Sequence, residues 1–168
     1  DVCSALASRG IEYKGVGSRD LDICDRAAVE EYLSAYVPEA VIHCAAYNAV
    51  DKAEEDAERC NLVNASGTEN VALACRKINA KIMFFSSDYV FSGDKKGEYE
   101  VNDEKRPLGV YGESKSLAEE KIKKIADKYF ILRISWLFGI NGNNFVKKIL
   151  KLSENANEIN VVSDQIGS

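Results

Sequence analysis

Short β-rich apolar runs alternate along this chain with longer stretches of helical period, and that alternation admits few folds. Residues 11–17, 40–45, 81–87, 129–135 and 159–162 read as strands. Residues 26–36, 61–78, 111–127 and 144–153 are amphipathic at a helical spacing. Asp25 is expected to cap the first of these helices, and Pro38 to stop it before the next strand. The strand runs are nearly continuous in apolar character rather than alternating, as expected when both faces of a parallel sheet are covered. Repeated β-α units with right-handed crossovers then build an α/β fold with a doubly wound parallel sheet. No repeat, low-complexity segment or Pro/Gly linker interrupts residues 1–168, so no internal domain boundary is expected.

In such sheets ligands bind beyond the carboxyl ends of the strands, near the switch in strand order. The polar signals of the chain fall there. Ala45-Ala46-Tyr47-Asn48 follows the second strand, with small residues that let a ligand approach the backbone. Ser86-Ser87-Asp88-Tyr89 ends the third and sets hydroxyls at its tip. After the long loop 88–110, Tyr111 and Lys115 open a helix four residues apart, on one face. A phenol with a pKa near ~10 is a poor acid–base group at neutral pH. An ammonium beside it is expected to draw that pKa down. Ser87, Tyr111 and Lys115 are therefore expected to converge at one edge of the sheet.

Composition removes other classes. The net charge of −5 gives no general attraction to nucleic acid or anionic membranes. No apolar run approaches the ~20 residues of a membrane span. Cys3, Cys24, Cys44, Cys60 and Cys75 are scattered and read as reduced, mostly buried residues of a cytoplasmic protein. His43, the one histidine, lies in an apolar run and is expected to be a hydrogen-bonded core imidazole, so no metal site is expected.

Ser87, Tyr111 and Lys115, in this order, resemble the Ser/Thr-Tyr-Lys set of the extended short-chain dehydrogenase/reductase family. The chain is most similar to its dTDP-4-dehydrorhamnose reductase branch. The carrying stretches are Leu21-Asp22-Ile23-Cys24-Asp25, Ala45 to Glu54, Ser86-Ser87-Asp88-Tyr89-Val90-Phe91-Ser92-Gly93, Val110 to Lys115, Arg133 to Gly139, Gly142 to Val146 and Asp164-Gln165-Ile166-Gly167-Ser168. The resemblance implies a Rossmann-like domain binding NADPH or NADH, and reduction of the C4 keto group of a nucleotide sugar, dTDP-4-dehydro-L-rhamnose. Tyr111 would be the general acid. Lys115 would hold the nicotinamide ribose, and Ser87 would bond the carbonyl or the Tyr111 oxygen. Asp22 and Ile23 match positions beside adenine, and Ala45, Ala46, Tyr47 and Asn48 match the loop along ribose and phosphate. Ser18 and Arg19 follow the first strand, where a basic residue suits a 2′-phosphate. Asp88, Trp136, Val50 and Ser87 are the substrate-side matches.

The resemblance also implies what these residues omit. Residues 1–10 look like the family's first helix, and no Gly-x-x-Gly-x-x-Gly loop for the cofactor pyrophosphate occurs in the sequence. Residues 1–168 are thus expected to be an incomplete nucleotide-binding domain with the substrate domain largely absent. A homodimer is a possible assembly. Two other readings of the same fold stand beside this one. The first is a non-catalytic subunit like the regulatory subunit of methionine adenosyltransferase. The second is a nucleotide-sugar epimerase or dehydratase that keeps its NAD bound.

Overall fold

Helix α2 (Arg26–Tyr36) starts where the Asp25 carboxylate accepts the Ala28 N–H. It ends at Val37, whose left-handed φ of 48° precedes Pro38. These features belong to a computed structural model that describes residues 1–165. The Ile166-Gly167-Ser168 end of the last matched stretch lies outside the described residues. Val29 and Leu33, one turn apart, form the buried face of α2. They join a single core with Val71, Ala72 and Cys75 of α5 (Thr68–Lys77), Ile82 and Phe84 of β2 (Lys81–Ser87), and Ala118 and Ile122 of α6 (Val110–Ile125).

β1 (Ala40–His43) runs parallel to β2, with Ala40 opposite Lys81 and His43 opposite Phe84. β3 (Tyr129–Ile134) flanks the other edge of β2, whose Ile82 N–H donates to the Lys128 carbonyl at 3.0 Å. With α5 crossing from β1 to β2 and α6 from β2 to β3, the architecture is the expected Rossmann-like α/β sheet. Along β2, Ile82, Phe84 and Ser86 are buried, whereas Met83 and Phe85 on the alternate face are half-buried.

Several boundaries differ from expectation. Residues 11–17 form no strand: glycines 15 and 17 interrupt the run, and Ile11, Tyr13 and Val16 are exposed. Residues 159–162 are also irregular. β propensity expresses packing against neighbouring strands, and neither run has a ladder partner among the described residues. β1 ends at His43, before the two alanines. The helix expected from 61 begins earlier, as α4 (Ala57–Asn61), and passes through a π turn, Leu62–Gly67, into α5. A one-turn helix α3 (Val50–Ala53) is too short for periodicity to reveal. Two cysteines, Cys60 and Cys75, are buried, so the thiols are not mostly internal: Cys3 and Cys44 are exposed. His43 is buried, with Nε2 3.0 Å from Thr68 Oγ1 and its ring stacked on Phe84.

Two compact units divide the chain. Gly17–Arg133 contains the sheet core just described. The other comprises Asp1–Val16 and the residues from Ile134 onward. It holds α1 (Val2–Ser8), in accord with a helical opening segment, and α7 (Phe145–Ser153), whose Asn144 cap accepts the Lys147 N–H. No helix among the described residues is long and apolar enough to cross a membrane.

Candidate active site

Three successive turns of α6 meet the last three residues of β2. The Tyr111 phenol lies within reach of the Ser87 hydroxyl, which acts to lower its pKa. Lys115 Nζ donates to the Phe85 carbonyl at 2.5 Å and lies 4.1 Å from the Phe84 ring centroid. Glu119 accepts the Ser86 hydroxyl at 2.6 Å. The expected convergence of Ser87, Tyr111 and Lys115 is therefore formed. Ser87 itself is held by the turn it caps: its Oγ donates to Asp88 Oδ1 at 3.0 Å and accepts the Tyr89 N–H at 3.2 Å.

Close backbone approach makes this possible. A Cβ on Gly112 would lie 2.2 Å from the Tyr89 carbonyl oxygen and 3.0 Å from Pro107 Cβ, so only glycine lets the Asp88–Val90 turn sit against α6. The Tyr89 and Tyr111 rings then meet edge to face, 5.6 Å apart. At the start of α6, Gly109 offers no side-chain cap. The Glu54 carboxylate supplies one from α3's end by accepting the Val110 N–H at 2.8 Å. The Asp-Lys-Ala-Glu stretch thus fixes the helix whose second residue is Tyr111.

The electrostatics correct one expectation. Tyr111 has its pKa raised, first by burial; the bond from Ser87 opposes this, while the Asp88 charge adds to it. Lys115 does not pull it down: the ammonium is turned to the Phe85 carbonyl and is itself lowered to about 8, chiefly by burial, against the raising influence of Glu119. At neutral pH the pair is a neutral phenol beside an ammonium, the protonation state a proton donor needs.

Two amides that the sequence did not single out organise the loops around this centre. Asn64, fully buried in the π turn, brackets the backbone of Tyr47: Oδ1 accepts its N–H at 2.7 Å, and Nδ2 donates to its carbonyl at 3.2 Å. The same Nδ2 donates to Ser114 Oγ, which donates to the Tyr111 carbonyl. Two turns on, Asn70 Nδ2 donates to the Ile23 carbonyl at 2.9 Å. The π turn's wider pitch at a site of this kind is a recurrent device. A polar amide among Val63, Ala65 and Gly67 was the available signal.

The other expected residues fall as follows. Asp22 is exposed and accepts the Cys24 N–H at 2.9 Å, a bond that holds its carboxyl below the usual range. Ile23 packs on Gly67, where a Cβ would come within 2.7 Å. Ala45 and Asn48 are exposed, Ala46 and Tyr47 half-buried, and Val50 begins α3. Ser18 and Arg19 lie in an exposed turn at residues 18–20. Trp136 belongs to the unit that begins again at Ile134; there it is 56% exposed, with a left-handed φ of 46°. The donor set suits a dinucleotide: an ammonium and a phenol at a strand tip, small side chains after β1, and an exposed carboxylate at Asp22.

Comparison with known proteins agrees with this geometry. The family model "RmlD substrate binding domain" matches residues 1–168. The spore coat polysaccharide biosynthesis protein SpsK of Bacillus subtilis is 36% identical over 100% of this chain and 59% of its own. The dTDP-4-dehydrorhamnose reductase of Aggregatibacter actinomycetemcomitans is 41% identical over 88% of this chain and 50% of its own. Among solved structures, dTDP-4-dehydrorhamnose reductase from Bacillus anthracis in complex with NADP superposes with a TM-score of 0.95 at 38% identity. That alignment covers 98% of this chain and 58% of that one. The chain spans about half the length of the curated relatives it matches. With the family's match running the whole of its length, the chain belongs to the RmlD substrate binding domain family.

Proposed function

We propose that this chain forms the nucleotide-binding, proton-donating part of an NAD(P)H-dependent reductase acting on the C4 ketone of dTDP-4-dehydro-L-rhamnose. The observation that carries the reading is the convergence of Ser87, Tyr111 and Lys115 at the tip of β2. It is supported by relatives that bear this reductase's name and by a neighbour bound to NADP. The reaction would run in the cytoplasm, where reduced nicotinamide and nucleotide sugars are both available.

A nicotinamide cofactor bound here would supply the hydride. The protein's part is to meet the negative charge that develops on the carbonyl oxygen. Tyr111 gives its phenolic proton to that oxygen, and its raised pKa keeps the proton in place until the alkoxide, a stronger base, forms. Ser87 holds the phenol by its hydroxyl and Asp88 holds Ser87. Lys115, charged at neutral pH, would offer its ammonium as a donor to the cofactor ribose. Asp22, Ile23 and the Ala45–Asn48 backbone would border the dinucleotide, and Arg19 would meet a 2′-phosphate; Val50 and Asp88 would face the sugar nucleotide.

An intact Ser-Tyr-Lys set argues against a purely regulatory role, because a binding scaffold needs no proton donor. Tyr111→Phe in the full-length protein is expected to lower turnover at least ~100-fold while NADPH binding persists, since general acid catalysis is typically worth 10²–10⁴. Near-normal turnover in that variant would remove Tyr111 from the mechanism.

A further inference from the structure

Glu119 is a buried carboxylate that the proposed chemistry does not use. It is fully buried on α6, four residues beyond Lys115 and eight beyond Tyr111, on the same helix face. Arg133 of β3 grips it with both nitrogens, Nε to Oε1 at 2.9 Å and Nη2 to Oε2 at 2.8 Å. Lys105 lies 3.4 Å from Oε2 and also pairs with Glu120 at 2.6 Å. Its remaining partner is the Ser86 hydroxyl, next to Ser87. Burying a carboxylate is costly, and a buried ion pair is often replaceable by apolar residues without loss of stability. Stability alone is thus a poor reason for an acid here.

We propose that Glu119 is a positioning residue for the Tyr111–Lys115 pair. Through Ser86 it fixes the tip of β2 against α6, and it balances Arg133 and Lys105 so that these cations do not oppose the Lys115 ammonium. The first half follows from the three rungs between α6 and β2. Removing the Glu119 rung frees the strand end that carries Ser87, with only the Lys115–Phe85 bond behind it. The second half follows from charge. The groups that act on Lys115 are Glu119 on its own helix and Cys60 from α4, and Lys115 in turn acts on His43 from β1. His43 is neutral near pH 7, because burial lowers it to about 4. Glu119 is the carboxylate in this group, and it is also the counter-ion of Arg133, which its removal would leave uncompensated. The same ledge carries a second load: Arg133 also donates to the Val101 carbonyl and stacks over Phe91 at 4.8 Å, so the carboxylate orients the loop that joins Ser87 to Tyr111.

The test uses the full-length protein with [ε-13C]lysine, following the titration of Lys115, assigned by its loss in Lys115→Arg. This readout needs no activity. In Glu119→Gln the Lys115 titration is expected to fall from about 8 by on the order of one pH unit. In Glu119→Asp, which keeps the charge, it should stay near the wild-type value. An unmoved titration in a folded Glu119→Gln protein would overturn the charge half. Ser86→Ala, a small change that leaves every charge in place, is expected to fold and to lower turnover of the keto sugar about tenfold without moving the Lys115 titration; unchanged turnover would overturn the clamp half. If Glu119→Gln does not fold, Glu119→Gln/Arg133→Met removes both charges, and Lys115 should then titrate near its wild-type position; a large fall there would overturn the proposal. The turnover arm rests on the reductase reading, and a wild-type protein that reduces no keto sugar would refute that reading while the lysine titration still decides the role of Glu119.

Discussion

Replacing Gly112 by alanine tests how tightly the catalytic geometry depends on one backbone contact. The added methyl would stand 2.2 Å from the Tyr89 carbonyl oxygen and 3.0 Å from Pro107 Cβ. The first of these is a backbone atom, so no rotamer change relieves it. The Asp88–Val90 turn or the start of α6 must retreat by roughly 1 Å to reach ordinary van der Waals separation. Overpacking of this kind costs about 1–3 kcal/mol, against which alanine gains up to about 1 kcal/mol of helix propensity over glycine. The net loss of stability is therefore about 0–3 kcal/mol, and the variant should fold. The effect on rate should be larger. Ser87 caps that turn and acts on the Tyr111 phenol, so the same 1 Å moves the hydroxyl from the phenol, and misplacement on this scale can cost ~100-fold. Thermal denaturation beside steady-state NADPH oxidation by the full-length protein separates the two effects. A Gly112→Ala protein that is as stable as wild type and turns over within twofold of it would refute the argument.

Other perturbations have equally definite outcomes. His43 titrates near 4 when folded and near 6.5 when unfolded, so the folded state binds fewer protons between those values. Stability present above pH 6.5 should therefore be lost by about 3 kcal/mol as pH falls to 4, and urea unfolding of His43→Leu should show a flatter pH dependence across that window. Turnover should fall as pH rises through about 8, where Lys115 loses its charge; a pH–rate profile flat to pH 9.5 would count against a charged Lys115. Arg19→Ala should weaken NADPH more than NADH by ~1.5–3 kcal/mol in calorimetric titration, and equal losses would mark Arg19 as a surface charge only.

The parts of the fold legible in the sequence are those whose local pattern and burial agree. β2 and α6 are long, strongly patterned and packed on each other, and their expected bounds stand within two residues. The run 11–17 failed because strand propensity is realised only beside another strand, and its glycines and exposed apolar side chains have none among the described residues. At the site, a spacing of four and a strand tip were enough to bring Ser87, Tyr111 and Lys115 together. The direction of the Tyr111 shift was not legible, because it depends on how deeply the phenol is buried and on where the Lys115 ammonium points. Asn64, Glu54 and Glu119 escaped notice for a related reason: they act across 17, 56 and 33 residues of sequence on Tyr47, Val110 and Ser86, and no local period encodes such a contact.

The central claim is that Tyr111 protonates a sugar carbonyl as a nicotinamide hydride arrives at its carbon. The most direct measurement supplies the full-length protein with NADPH deuterated at the transferred position of nicotinamide C4, together with dTDP-4-dehydro-L-rhamnose. One deuterium should appear at C4 of the product sugar for each NADPH oxidised, and Tyr111→Phe should suppress the transfer at least ~100-fold. Product without deuterium, or no oxidation of NADPH while the sugar is epimerised on tightly bound NAD, would contradict the account.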